Sequence, residues 1–71
     1  MSDQLISISR VRSAARGLGL KSMIVLQELP NGRWGYTSYG QTRELCGRAK
    51  SIADECLSAV EYAVAVEDGN I

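Results

Sequence analysis

Two short runs of mostly apolar residues stand near the middle of the chain, and a turn sequence separates them. The runs are residues 22–29 and 33–40, both rich in β-branched, aromatic and other apolar side chains. Pro30-Asn31-Gly32 lies between them; proline and asparagine suit the centre of a type I turn, and glycine suits the residue with positive φ that follows. The pattern predicts an antiparallel hairpin with a three-residue loop, in which Leu29 pairs with Arg33.

The predicted register gives the hairpin two faces, and neither is plainly a solvent face. One face carries mainly large apolar side chains: Ile24, Leu26, Trp34 and Tyr36. The opposite face carries Met23, Val25, Leu29, Thr37 and Tyr39. A two-stranded sheet alone is marginally stable in water, so we expect one face to pack on a helix and the other to meet a further surface.

A short helix is predicted before the hairpin, over residues 7–17. Its apolar side chains fall within one arc at the helical period: Ile8, Val11, Ala14, Ala15 and Leu18. An alternative interpretation makes residues 4–12 a strand, because isoleucines alternate there with serines. The alternation breaks at Arg10-Val11, which favours the helix. Gly17 or Gly19 is expected to end it in a left-handed conformation.

The longest apolar pattern follows the hairpin, over residues 42–66. Its members step by alternating four and three positions, the spacing of a helix seam: Leu45, Ala49, Ile52, Cys56, Ala59, Ala63 and Val66. Thr42 is a suitable N-cap for this helix. Glu67 would fall within the apolar arc, so the helix is predicted to end near Val66 and residues 67–71 to form a flexible tail.

These elements predict a single α+β domain over residues 1–71, in the order helix, strand, strand, helix. A chain this short buries only ~60% of the surface that its unfolded state exposes. Cys46 and Cys56 lie about 15 Å apart along one predicted helix, too far for the ~7 Å that a disulfide allows. With no disulfide or metal to support a small core, oligomerisation is expected.

The long helix is the predicted dimer contact. Over residues 42–66 it measures about 37 Å, whereas a seven-residue strand covers about 23 Å, so the hairpin leaves part of the apolar stripe uncovered. A homodimer about a two-fold axis would cover the remainder. The predicted interface residues are Ala59, Val60, Ala63 and Val64.

Composition and charge exclude several classes of protein. The chain is 45% hydrophobic and 23% charged, with a net charge of zero, as in an ordinary globular domain. No apolar run reaches the about 18 residues that a membrane-spanning helix needs. The N-terminus lacks the basic and apolar regions of a secretory signal, so a cytoplasmic location is predicted.

The residues of common enzyme active sites are missing. The sequence contains no histidine, the commonest general base and metal ligand. Cys46 and Cys56 therefore have no imidazole to activate them, and two thiols alone do not make a zinc site. We predict no catalytic, metal or cofactor site, and hence a non-enzymatic protein.

A small chain without catalytic groups resembles the accessory proteins of bacteriophages and prophages, including inhibitors of host defence. The resemblance implies a regulatory or inhibitory protein that acts by binding an unidentified protein. If the Trp34 face packs on the long helix, the partner surface is expected on the opposite face and the hairpin tip. The predicted contacts, of the kinds enriched in binding hot spots, are Met23, Val25, Leu29, Arg33 and Tyr39.

A nucleic-acid-binding protein is the alternative. Residues 34–39, Trp-Gly-Tyr-Thr-Ser-Tyr, look like the aromatic half of the RNP1 motif of RNA-recognition modules, whose rings stack on bases. Gly32 and Arg33 reverse the order of that motif, and the chain lacks the four strands of such a module. A net charge of zero also differs from the basic excess usual in nucleic-acid binders. The contacts expected under this alternative are Arg12, Arg16, Trp34 and Tyr36.

Overall fold

A computed structural model of the protein describes residues 4–69. The elements in chain order are α1 (Ile8–Leu18), β1 (Ser22–Glu28), β2 (Trp34–Gly40) and α2 (Arg43–Glu67). The chain is thus a small α+β domain with two helices and a two-stranded antiparallel hairpin, as predicted.

The hairpin has the predicted loop and register. Gly32 has a φ of 86°, and its N–H donates to the Leu29 carbonyl at 2.8 Å. The Leu29 N–H in turn donates to the Arg33 carbonyl at 2.8 Å, which closes the three-residue loop. Pairing then runs without interruption from Glu28 opposite Trp34 to the far end of both strands, and the expected partners are confirmed.

Residues 8–12 belong to α1, and residues 4–7 precede it without forming a strand, so the strand interpretation of residues 4–12 is wrong. The Ser7 side chain accepts a hydrogen bond from the Arg10 N–H at 3.3 Å and caps the helix. Gly19, with a φ of 70°, ends it. Within the predicted apolar arc only the centre is buried, Val11 and Ala15, whereas Ile8, Ala14 and Leu18 are exposed on its flanks.

α1 packs on the face of the hairpin that carries the odd-numbered strand residues, here called the α1 face. Val11 and Ala15 form a buried cluster with Tyr39 of β2, and Tyr39 is only 7% exposed. Met23 and Val25 of β1 are half-buried against this cluster, together with Ile6. The small alanine lets the helix approach the sheet, and the tyrosine ring fills the space between the two.

The segment before α1 is held on the same face by polar side chains. The Ile6 N–H donates to Gln27 Oε1 at 2.7 Å, and the Thr37 hydroxyl donates to the Ile6 carbonyl at 2.8 Å. Gln27 Nε2 also donates to Thr37 Oγ1 at 3.1 Å, so the two side chains orient each other. Leu5 lies directly over Gly35, where a side chain would have to displace it.

α2 packs on the opposite face, here called the α2 face, which carries the even-numbered strand residues. Its N-terminus begins at the predicted cap, where Thr42 Oγ1 accepts from the Leu45 N–H at 3.1 Å. Ala49 and Ala53 are its buried residues, and they hold the helix close to the sheet. Gly40 lies against the α2 backbone at Cys46 and leaves no room for a Cβ atom.

α2 runs antiparallel to β2, from Gly40 back to the hairpin tip, and lies mainly over β2 rather than β1. The helix includes Glu67, the first residue of the predicted tail; Asp68 and Gly69 form its C-terminal turn, and residues 70–71 lie outside the described residues. In residues 4–69 no helix is both long and apolar enough to cross a membrane.

Candidate protein-binding surface

An open groove of about 210 Å³ lies where the last turns of α2 meet the hairpin tip. The turn and the start of β2 form one side of this tip groove, and the last two turns of α2 form the other. Its lining combines an aromatic ring, apolar side chains and three charges: Arg33, Trp34, Glu61, Val64, Ala65 and Asp68.

The fold builds the groove from two local features. The positive φ of Gly32 turns the chain so that Arg33 stands exposed just outside β2, next to the half-buried Trp34. On α2, Val64 and Ala65 are half-buried. The groove therefore combines half-buried apolar side chains with exposed charged ones.

The two carboxylates beside the groove belong to one flank of α2. Asp54, Glu61 and Asp68 follow each other at intervals of seven residues, two helical turns, so they lie along one line of the helix. Asp54 accepts a hydrogen bond from the Tyr36 hydroxyl at 2.6 Å. Glu61 and Asp68 have no ionic or hydrogen-bonding partner for their side chains within residues 4–69.

The hydrogen bond to Asp54 raises the pKa of the Tyr36 hydroxyl above its ordinary value. The bond is the largest cause, since it favours the protonated phenol; desolvation and the negative charge of Asp54 act in the same direction. Tyr36 therefore stays neutral over a wider pH range than a free tyrosine. It links β2 to α2 beside the groove.

Trp34 carries a donor without an acceptor. Its Nε1 atom is buried, and no hydrogen-bond partner for it exists among the described residues. Most buried N–H groups in proteins are bonded, and an unmade bond costs about 1–3 kcal/mol. The indole is consequently held by packing alone, at the side of the groove where Arg33 is exposed.

The structure divides the predicted partner contacts into two groups. Met23, Val25 and Tyr39 lie beneath α1, so the expectation that this face is left uncovered is wrong. The physical reason is that α1 and the segment before it have enough apolar and polar contacts to close the face. Arg33 is exposed in the tip groove, and Leu29 is half-buried at the start of the turn. A partner would reach the first three only if α1 moved away.

The predicted dimer residues also fall into two groups. Ala59 and Ala63 are exposed, on the flank of α2 opposite Glu61. Val60 and Val64 are half-buried, because they continue the stripe of Ala49 and Ala53 that faces the hairpin. These four side chains therefore do not form one uncovered surface.

The residues of the nucleic-acid alternative are not brought together. Arg12 and Arg16 are exposed on α1, whereas Trp34 and Tyr36 are half-buried on the α2 face, on the other side of the sheet. Tyr36 is bonded to a carboxylate, and Glu61 lies beside Trp34 in the groove. These negative charges oppose a phosphate backbone next to the rings.

Sequence reasoning did not identify Glu61 and Asp68 as members of a site, nor Gly40 as a packing position. The spacing of Asp54, Glu61 and Asp68 at intervals of seven residues was a visible signal for Glu61 and Asp68. No local signal marks Gly40, because its lack of a side chain matters only through contact with α2.

Cys46 and Cys56 are free and half-buried. Residues 4–69 contain no cluster of three or more potential metal ligands. Comparison with known proteins gives no match: no family model, no curated protein and no solved structure matches this chain.

Proposed function

We propose that this chain is a non-enzymatic regulatory or inhibitory protein that acts by binding another protein, and that it does so as a homodimer. The observation that carries the proposal is the tip groove, in which an aromatic ring and an exposed arginine adjoin two half-buried apolar side chains of α2. Tryptophan and arginine are among the residue types that dominate binding energy at protein interfaces.

The charges of the groove indicate the chemistry of the partner. Glu61 and Asp68 are exposed carboxylates without partners in residues 4–69, and Val64 and Ala65 line the same groove. A partner segment that offers an apolar side chain next to a lysine or arginine fits this arrangement. Arg33 adds a donor fork suited to a carboxylate or a backbone carbonyl.

The test compares two arginines on the same protein. The immobilised chain captures its partner from an extract of the source cells, and the captured protein is then purified and titrated against variants. Arg33→Ala is expected to weaken the complex by about 1–3 kcal/mol, on the order of a hot-spot truncation. Arg12→Ala, an equal truncation on the exposed face of α1, is the matched control and should have little effect. Equal losses from both variants would contradict the tip groove as the partner site.

The nucleic-acid alternative predicts the opposite order. Mobility-shift titrations with single-stranded and duplex nucleic acid at two salt concentrations would then show salt-sensitive binding. Arg12→Ala would weaken that binding more than Arg33→Ala. The separation of the basic helix face from Trp34 and Tyr36 by the sheet favours the protein-binding proposal.

The association with phages or prophages rests on chain size and on the lack of catalytic groups alone. It stays a prediction, as does the cytoplasmic location. The gene neighbourhood would test the first directly.

A further inference from the structure

The hairpin has two outer edges, and the edge of β1 is open. The Leu29 N–H and the Gln41 N–H donate across the hairpin to Arg33 and Lys21, which shows that the odd-numbered residues direct their backbone groups inward. The even-numbered residues of β1 therefore direct their N–H and C=O groups outward. Within residues 4–69 no hydrogen bond from another element reaches them. β1 carries no proline or lysine that would block pairing.

A second copy of β1 fits this edge in one symmetric register. The strand spans Ser22–Glu28, so its middle residue is Val25. In an antiparallel pair centred on Val25, Ile24 lies opposite Leu26 of the copy, and Ser22 lies opposite Glu28. All four outward-facing residues of each strand then face outward-facing residues of the other, which satisfies both open edges over their full length.

The side chains next to this edge are apolar and only partly covered. Ile24 and Leu26 are half-buried on the α2 face, because α2 lies mainly over β2. Asp54 marks the flank of α2 that reaches Tyr36 of β2. Ile52 points about 160° away from Asp54 at 100° per residue, so it lies on the flank above β1, and it is 43% exposed.

The same two-fold axis would pass close to Ile52. Gly40 contacts α2 at Cys46. Thr37, the residue opposite Val25, lies about 10 Å from Gly40 along β2. Ile52 lies about 9 Å from Cys46 along the axis of α2. Ile52 is therefore level with Val25, and Ile52 of the two copies would meet above the centre of the paired strands.

The residues on either side of Ile52 are complementary in charge and size under that symmetry. The flank above β1 continues as Leu45, Arg48, Ile52, Glu55 and Ala59 at intervals of three and four residues, the spacing of an antiparallel helix seam. A two-fold axis at Ile52 sets Arg48 of each copy opposite Glu55 of the other, which gives two pairs of opposite charges. It also sets Leu45 opposite Ala59. Neither Arg48 nor Glu55 has an ionic or hydrogen-bonding partner for its side chain within residues 4–69.

We propose that a second copy of this chain pairs along the outer edge of β1, centred on Val25, while the two α2 helices pack through Ile52, Arg48 and Glu55. The result is a four-stranded antiparallel sheet with both α2 helices on one face. The proposal rests on the homodimer of the proposed function and gives its interface. It keeps Ala59 from the sequence-predicted interface and replaces Val60 and Val64, which face the hairpin.

Charge reversal tests the register of the helices. Light scattering from micromolar concentration upward should give the wild-type chain twice the mass of a single chain. Arg48→Glu and Glu55→Arg should each weaken the dimer by about tenfold or more, since each sets like charges opposite each other twice. The double variant Arg48→Glu with Glu55→Arg should restore it. Lys50→Glu, on the other flank of α2, is the matched control and should leave the dimer mass unchanged.

Amide exchange tests the pairing of the strands. The amides of Ile24 and Leu26 should be protected in the dimer and lose protection on dilution or in Arg48→Glu. The amides of Trp34 and Ser38, on the outer edge of β2, should exchange fast throughout. A wild-type monomer at all concentrations overturns the proposal, and so does a dimer in which Ile24 and Leu26 remain unprotected.

Failure of this interface is distinguishable from failure of the proposed function. The Arg48→Glu chain keeps the tip groove, which lies near the other end of α2. If the wild type is a monomer and still shows the Arg33-dependent complex, the homodimer is overturned together with its interface, and the binding of another protein through the tip groove stands. If the dimer forms as described but no Arg33-dependent complex exists, the interface stands and the tip groove does not.

Discussion

The α1 face of the hairpin is the more closed of the two faces, and the α2 face is the more open. Each helix buries two of its own residues almost completely, Val11 and Ala15 of α1 and Ala49 and Ala53 of α2. On the α1 face the strand residue Tyr39 is buried as well, at 7% exposed. On the α2 face every apolar strand residue remains half-exposed, although α2 is 25 residues long and α1 only 11. The difference arises because α1 packs across both strands, whereas α2 lies mainly over β2.

This difference suggests that the two faces have different roles, the α1 face in the stability of the domain and the α2 face in binding. The short helix covers the buried ring of Tyr39, through contacts between residues that are far apart in the sequence. The long helix leaves three things on the α2 face that a core would not keep: an unbonded indole N–H, a charged groove and the uncovered flank around Ile52. We therefore expect substitutions on the α1 face to change stability and those on the open parts of the α2 face to change binding.

The largest effect is expected at Tyr39, on the closed face. Tyr39→Ala removes a ring packed on Val11 and Ala15 and should destabilise the domain by about 3–5 kcal/mol, enough to unfold much of the population. Tyr39→Phe keeps the ring and is the control, with a change below about 0.5 kcal/mol. Urea denaturation followed by circular dichroism measures both. A stable Tyr39→Ala chain would show that the α1 face is not the core.

The next effect tests how α2 is fixed over β2. Gly40→Ala introduces a Cβ atom where the α2 backbone lies and should cost about 1–3 kcal/mol as the helix shifts. Gly47→Ala is the matched control, because nothing lies near that position and alanine favours a helix by about 0.5–1 kcal/mol. Thermal denaturation of the pair should move the two melting temperatures in opposite directions. Equal shifts would mean that α2 does not depend on the contact at Gly40.

The turn connects the two faces and should have a smaller effect. Gly32→Val forces a β-branched residue to the positive φ of 86° and should destabilise the domain by at least ~1 kcal/mol. Gly32→Asn should cost less, since asparagine tolerates this conformation. An unchanged melting temperature for Gly32→Val would mean that the turn does not hold the Arg33 side of the tip groove in place.

Local chemistry made most of the fold predictable. The loop, the strand register and the Thr42 cap each depend on residues within a few positions of one another, so the sequence pattern was enough. The choice between helix and strand before Gly17 also followed from one local break in alternation.

The candidate site was less predictable because it depends on which helix covers which face. The sequence pattern places both Tyr39 and Trp34 on faces of the hairpin that carry apolar residues. Only the packing of the helices puts Tyr39 under α1 and Trp34 at the tip groove. Tertiary packing also decides which apolar residues of α2 face the hairpin and which are exposed. Val60 and Ala59 are neighbours in sequence, yet one faces the hairpin and the other does not. Sequence spacing alone cannot say where the sheet ends beneath a helix.

The smallest effect concerns the hydrogen bond from Tyr36 to Asp54, and it is a test of pH dependence. Folding raises the pKa of Tyr36, so the stability that this group contributes is complete below the ordinary tyrosine pKa of about 10 and is lost as pH rises through the higher folded value.

Tyr36→Phe removes the hydrogen bond to Asp54 and, with it, this dependence of stability on pH. Urea denaturation near neutral pH should find the variant slightly less stable than the wild type. At about pH 11 the difference should shrink, because the wild-type phenol loses its proton and its bond to Asp54. Tyr62, 61% exposed, provides the control: Tyr62→Phe should follow the wild type at both pH values. A Tyr36→Phe deficit of the same size at both would show that the bond does not connect β2 to α2 in solution. The half-closed face would then depend on Ala49, Ala53 and Gly40 alone.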